Sequence, residues 1–303
     1  VLDSLLDQSL LGYTTLGHRW RDLPPVEVDL EGRIALITGA TSGLGRSTAE
    51  SLARLGAQLI LVGRNPEKTA RVAEAIIRAS GNSKVRTEIA DLSLMAEVRA
   101  LAERQQAPIH LLVNNAGVLL PERSETQEGL ETTFATNLLG HFLLTELLID
   151  KLEAPARIIN VSSGGMYTQR IRVEDLQMER GRYDGAVAYA RTKRAQVILT
   201  EIWAERLRDR GIVVHSMHPG WADTPGVSDS LPTFYKLTKP LLRTPEQGAD
   251  TIVWLCASPK AARTTGLFWH DRKPRPTHRS KRTKETAEER KALWDRLSSM
   301  IAE

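Results

Sequence analysis

The chain of 303 residues holds a single cysteine, Cys256. That excludes a disulfide framework and favours a reducing compartment, so a cytoplasmic protein is expected. Cys256 lies in the apolar run TIVWLCA, where a buried structural thiol is the expectation. Long apolar runs are also missing. None approaches the roughly 18 residues that a membrane-spanning helix needs, so no transmembrane segment is predicted. The first residues, VLDSLLDQSLLGY, carry two acids and no base, unlike a secretory leader. The seven histidines show no ligand spacing with carboxylates, and no metal site is expected. Basic excess is absent from most of the chain. The sequence pI is about 9.2, but residues 270–284 (HDRKPRPTHRSKRTK) hold seven Lys/Arg and one Asp, net +6 against +4 for the whole chain. The basicity therefore belongs to a tail, expected to be solvated. Contact of that tail with an acidic membrane surface or RNA is the alternative, and no nucleic-acid partner is expected.

What is present is a regular alternation. With 41% apolar residues the chain can bury one full core. RIALITGA (33–40), QLILVGR (58–64), VRTEIADL (85–92), HLLVNNAG (110–117), ARIINVSS (156–163), IVVHSMHPG (212–220) and GLFWH (266–270) read as strands. Helical periods run between them, over 46–57, 66–80, 94–105, 129–152, 184–209 and 244–257. Strands alternating with helices imply parallel βαβ units, hence an α/β, doubly wound (Rossmann) parallel sheet of about seven strands with helices on both faces. The expected organisation is an N-terminal extension (1–31), a catalytic domain (32–270), and a basic linker with a C-terminal amphipathic helix (271–303).

Two features carry chemistry. In VAYARTKRA (187–195), Tyr189 and Lys193 stand four apart in a helical segment, on one face and one turn apart. An ammonium beside a phenol favours the phenolate, which suits general acid–base work. Such a pair recurs by chance, so its company matters. TGATSGLG (38–45) ends the first strand and opens the first helix. Glycines there let a backbone approach a pyrophosphate at a helix N-terminus. The spacing of Gly39, Gly43 and Gly45 is Thr-Gly-x-x-x-Gly-x-Gly rather than G-x-G-x-x-G, since Thr48 stands where the last glycine would be.

From 32 to 270 the chain resembles the short-chain dehydrogenases/reductases. The resemblance rests on the glycine motif, Asp91, Asn114-Asn115-Ala116-Gly117, Asn137 in TNLLGHF, Ser163 in NVSSGG, Tyr189 with Lys193, and Pro219-Gly220, all in the family's order. SSGGM (162–166), MHPGWADTPGV (217–227) and DRKP (271–274) add a likeness to its dehydrogenase/reductase member twelve group, related to retinol-dehydrogenase-like enzymes. The resemblance implies an oxidoreductase that interconverts a carbonyl and an alcohol by hydride transfer. Tyr189 would be the general acid/base, and Lys193 would lower its pKa and bond the nicotinamide ribose. Ser163, rather than its neighbour Ser162, would bind the substrate oxygen, and Asn137 would hold a water linking Lys193 to solvent. It also implies cofactor contacts from Gly39, Thr41, Ser42, Gly43, Leu44 and Gly45, from Asp91 and Leu92 beside the adenine, and from Asn115, Ala116 and Gly117 beneath the adenosine ribose. Pro219, Gly220 and Thr224 would follow near the nicotinamide, with Thr224 at the carboxamide.

An acid at the end of the second strand selects NAD. Here LVGRN offers Gly63 and Arg64, and no carboxylate until Glu67. Arg64 suits a 2′-phosphate, with Ser42 and Arg46 nearby, so NADP(H) is favoured over NAD(H). Residues 164–185 and 221–242 are expected to line the substrate pocket. Trp221, Leu231, Phe234 and Tyr235 suggest an apolar aldehyde, ketone or alcohol. A non-enzymatic NADP(H)-binding or scaffold protein on the same fold is the alternative. Pairing into a homo-oligomer through 94–152 and 184–209 stays open.

Overall fold

The structure, a computed structural model, describes residues 10–224, 235–236 and 238–302. A short helix α1 (Thr15–Trp20) precedes the first strand. The βα alternation follows: β1 (Ile34–Thr38), α2 (Gly43–Arg54), β2 (Gln58–Gly63), α3 (Pro66–Ser80), β3 (Val85–Ile89), α4 (Met95–Glu103) and β4 (Ile109–Asn114). A helical stretch then runs from Thr132 through the π-helical Ala135–Leu139 into α5 (Gly140–Leu148). β5 (Leu152–Val161), α6 (Gly185–Arg206), β6 (Ile212–Met217), α7 (Pro245–Ala257), β7 (Phe268–His270), β8 (Lys273–Arg275) and α8 (Ala287–Ala302) complete it.

The boundaries follow local chemistry. Asn65 caps α3 by accepting from the Lys68 amide at 2.8 Å, Pro66 opens that helix, and Gly81 closes it at φ 72°. Asp184 caps α6 by accepting from the Ala186 and Val187 amides. Thr244 and Gln247 form a reciprocal capping box on α7.

The strands lie in the order β3-β2-β1-β4-β5-β6-β7-β8, with β7 and β8 antiparallel and the other neighbours parallel. The direction of winding reverses between β1 and β4, which opens a crevice at their carboxyl ends. Alternate side chains feed two cores. Leu36, Leu112, Ile158 and Val214 face α5, α6 and α8, while Ala35, Ile37, Val113 and Ile159 face α2, α3 and α7. Each fully buried leucine or isoleucine contributes roughly 1.5–3 kcal/mol.

The sheet has eight strands where about seven were expected. The added strand falls within the segment read as a basic linker. Asp271 and Arg272 both have positive φ, 49° and 57°, and His270 pairs with Lys273, a two-residue hairpin of the kind usually built from Asn-Gly. Ion pairs hold the turn. Arg243 grips the Asp271 carboxylate with both terminal nitrogens, at 2.6 and 2.8 Å, Arg21 joins it, and Arg272 pairs with Asp250. The basic segment is not a solvated tail. Tyr167 Oη donates to the Pro276 carbonyl at 2.6 Å, and buried Arg194 of α6 bonds the Thr277 carbonyl and Glu285. Beyond it, Leu293 and Leu297 of α8 are fully buried, and Trp294 packs on Phe142. Among the described residues, no helix is long and apolar enough to cross a membrane.

Candidate active site

The glycine turn between β1 and α2 is closed by its own backbone. Gly39 and Gly43 have φ of 64° and 50°, a region that side chains disfavour. A Cβ on Gly45 would overlap the Gly39 carbonyl and the Asn115 side chain, so the helix start packs against the strand end without a side chain between them. Ser42 occupies the cap position of α2 without a side-chain cap bond, and the first turn contains no acid. A helix start of this composition fits an anion. Thr41, Ser42, Gly43 and Leu44 are all half-buried along this turn. Thr38 Oγ1 accepts from the Asn115 and Ala116 amides at 2.9 and 3.0 Å, and Asn115 Nδ2 returns to the Thr38 carbonyl at 2.9 Å. The two strand ends at the crevice are thus locked together.

At the end of β2 there is no room for an acid at position 63. A Cβ there would overlap Thr69 Oγ1 and Thr41 Cγ2, and the Thr69 hydroxyl is fixed on the Asn65 carbonyl at 2.7 Å. The next residue, Arg64, is exposed, and no described residue pairs with its guanidinium. Arg46, one turn into α2, is instead held by Glu50 at 2.8 Å. After β3, Asp91 Oδ1 accepts from the Ser93 amide and hydroxyl, and Leu92 is buried. Gly220 (φ 81°) follows Pro219, and a Cβ on it would overlap the Arg243 guanidinium. Thr224 is half-buried beyond it.

Asn137, Ser163, Tyr189 and Lys193 lie where β5, α6 and the π-helical segment converge. Ser163 opens a 3₁₀ turn, its Oγ accepting from the Gly165 amide at 3.2 Å, and it lies near enough to the Tyr189 phenol to lower its pKa. Ser162 is buried and donates to the Lys193 carbonyl at 2.9 Å, so it is committed to the framework. The Lys193 ammonium lies 5.4 Å from the Tyr189 ring centroid and donates to the Val161 carbonyl at 2.8 Å and to Gln196 Oε1 at 3.2 Å. Exposed Gly117 borders the same space; a Cβ there would stand 3.4 Å from Asn137 Oδ1 and 3.5 Å from Lys193 Nζ. Asn137 is fully buried. Its side chain bonds the amide and carbonyl of Val118 at 2.8 and 2.9 Å and Thr192 Oγ1 at 3.2 Å.

The electrostatics differ from the simple expectation of a lysine-lowered phenol. Burial pushes the Tyr189 phenol up, and Ser163 opposes that. Burial pushes the Lys193 ammonium down, to about 7. Desolvation acts on both groups and leaves Tyr189 holding its proton.

One positioning residue has no signal in the sequence beyond its place before Pro219. His218 is buried, and its Nδ1 accepts from the Gly164 and Gly220 amides at 3.1 and 3.3 Å. One imidazole thus fixes the backbone beside Ser163 and beside the Pro-Gly pair. Of the residues expected to line a pocket, Trp221 packs on Tyr13, with ring centroids 6.1 Å apart, and Tyr167 is spent on Pro276. Tyr235 lies beneath the Lys239 ammonium at 5.4 Å, while Leu231 and Phe234 lie outside the described residues. An open cleft of about 590 Å³ runs along the start of α6, lined by Leu119, Pro121, Tyr183 and Ala186 with Arg182 and Asp184.

The family model described as short chain dehydrogenase matches residues 33–233. Dehydrogenase/reductase SDR family member 12 of Bos taurus is 42% identical over 280 residues, 89% of this chain and 88% of that protein. Retinol dehydrogenase 12 of Mus musculus is 36% identical over 275 residues, 88% of this chain and 86% of the other. A solved structure of an uncharacterised protein from Mycobacterium paratuberculosis superposes with a TM-score of 0.75 at 27% identity, covering 91% of this chain and 96% of that one. The strand order agrees with these likenesses, and the chain belongs to the short-chain dehydrogenase/reductase family of oxidoreductases, which act on CH–OH groups with NAD(P).

Proposed function

We propose that this protein is an NADP(H)-dependent oxidoreductase that interconverts a carbonyl and an alcohol, with Tyr189 as the general acid/base and an apolar aldehyde, ketone or alcohol as substrate. The observation that carries the reading is the convergence of Ser163, Tyr189 and Lys193 at the end of β5, with the Lys193 ammonium 5.4 Å from the centre of the phenol ring. The Ser163 hydroxyl is placed to bind a carbonyl oxygen and stabilise negative charge developing there. Tyr189, holding its proton, donates it to that oxygen in reduction and takes it back in oxidation. Lys193 has three donors and spends two on Val161 and Gln196, leaving one for a ribose hydroxyl.

The residues fit a dinucleotide. The glycine turn and the acid-free start of α2 offer amide donors to a pyrophosphate. Asp91 and Leu92 would hold the adenine, Asn115 to Gly117 its ribose, and Pro219, Gly220 and Thr224 the nicotinamide. The nicotinamide, when bound, supplies or accepts the hydride. Preference for the phosphorylated form rests on Arg64, whose exposed guanidinium suits a 2′-phosphate, and on the exclusion of an acid at Gly63. The substrate class rests on the retinol dehydrogenase likeness.

The test is NADPH consumption, followed by absorbance, against a panel of apolar aldehydes and ketones, with NADH in a second arm. Wild type should turn over and Tyr189→Phe should not, while both bind NADPH. Turnover that survives in Tyr189→Phe overturns the mechanism. A preference for NADH overturns the role of Arg64.

A further inference from the structure

Gln196 lies three residues beyond Lys193 on α6, on the same helix face, and is 3% exposed. Its amide is spent on the candidate centre. Oε1 accepts from Lys193 Nζ at 3.2 Å, and Nε2 donates to the main-chain carbonyl of Asn137 at 2.7 Å. That carbonyl sits in the π-helical segment and also meets His141 Nδ1 at 3.2 Å. Gln196 thus bridges the Lys193 ammonium and the Asn137 carbonyl through one amide.

We propose that Gln196 is a positioning residue of the catalytic centre, its amide joining the Lys193 ammonium directly to the Asn137 carbonyl and fixing the ammonium beside Tyr189. The proposal rests on the tyrosine–lysine mechanism above. An amide accepts and donates through different atoms, so it faces a cation on one side and a carbonyl on the other without changing protonation. Among the described residues, Lys193 is otherwise held by the Val161 carbonyl alone. Among the described residues, the titratable groups facing Lys193 are Tyr189 on its own helix and His141 on α5. His141 is pushed down to about 3 by burial and by Lys193, and so stays neutral across the range tested. β5 presents the Val161 carbonyl, and the loop after β4 presents Gly117.

The test compares wild type, Gln196→Leu and Gln196→Glu in two readouts. One is the pH profile of kcat with NADPH. The other is competitive acetylation of Lys193 by trace acetic anhydride, read across pH by peptide mass spectrometry, which needs no substrate. Leucine removes an acceptor from the ammonium, so the alkaline limb of kcat and the labelling midpoint should both move down by about one pH unit. Glutamate adds an opposite charge and should move both up. A purely structural role lowers kcat equally at all pH and leaves the midpoint in place; that result overturns the proposal. If the leucine variant does not fold, the glutamate variant decides alone, and a midpoint that stays or falls overturns it. Failure of wild type to turn over any substrate would sink the reductase reading, while labelling would still decide the role of Gln196.

Discussion

The Ser162 hydroxyl donates to the main-chain carbonyl of Lys193 at 2.9 Å, fastening the end of β5 to the helix that carries the candidate base. Ser163, the next residue, instead accepts from the Gly165 amide and lies beside Tyr189, whose pKa it lowers. Adjacent serines on an extended strand end face opposite sides, so only one can serve the substrate.

Exchange of the two serines for alanine should separate these tasks. Ser163→Ala removes a donor to the developing oxyanion, and kcat should fall on the order of 10²–10³-fold with little change in melting temperature. Ser162→Ala removes one buried hydrogen bond and should cost about 1 kcal/mol of stability with a much smaller effect on kcat. Steady-state kinetics beside thermal melts decide it; equal kinetic losses would contradict the division.

Cofactor choice should respond to Arg64 and not to Gly63. Arg64→Ala deletes a charge-assisted contact of about 1.5–3 kcal/mol, so affinity for NADPH should fall roughly 10–100-fold while that for NADH barely moves. Arg64→Asp should go further and favour NADH. Gly63→Asp should not reproduce that switch, because its Cβ meets Thr69 and Thr41, and the damage should fall on both cofactors and on stability. Parallel titrations with the two dinucleotides check each case.

Much of this was legible in the sequence, for physical reasons. Fully buried parallel strands read as apolar runs, and the period-2 split of Leu36 from Ala35 and Ile37 follows from the strand itself. The glycine turn showed because close backbone approach leaves glycine as the residue that fits. The β7–β8 hairpin did not show, because its turn is Asp271-Arg272 and its stability comes from Arg243 and Arg21, distant in sequence. The basic segment misled for the same reason. Arg194 and Tyr167 tie it down through its own main-chain carbonyls at Thr277 and Pro276, and a backbone acceptor leaves no mark in composition. Gln196 and His218 were missed because both act by joining separate elements.

Lys193 should cost stability at neutral pH. Its ammonium is held near 7 in the fold and titrates near 10.5 when unfolded. Below about 7 both states carry the proton, and the burial cost is felt in full. Between these values the unfolded state carries the proton and the native state does not, so stability rises with pH, by up to about 1.4 kcal/mol per unit. Lys193→Met has no such term. Its stability relative to wild type should be highest at or below pH 7 and should decline towards pH 9, with turnover lost throughout. Urea unfolding at pH 6.5 and 9 reads this, and a constant gap would mean the ammonium is not desolvated.

Asp271 carries the opposite sign. Burial alone would raise its pKa, but His270, Arg243 and Arg21 together hold the carboxyl well below the usual range. A carboxylate with a depressed native pKa contributes stability that is present above its unfolded value near 4. That stability is lost as pH falls through the folded value. Both guanidiniums and the carboxylate are nearly inaccessible, with side-chain exposures of 1–4%. Asp271→Asn therefore removes the carboxylate shared by two buried guanidiniums and should cost about 3–5 kcal/mol at pH 7, a loss visible in the denaturation midpoint. The deficit should shrink as wild type is taken into acid, where its own carboxylate protonates. Because Arg243 also closes on Gly220 and bonds the Gly12 carbonyl, loosening it should weaken cofactor binding before the sheet is lost. A variant that bound NADPH normally while unfolding early would confine Asp271 to stability and separate the hairpin from the site.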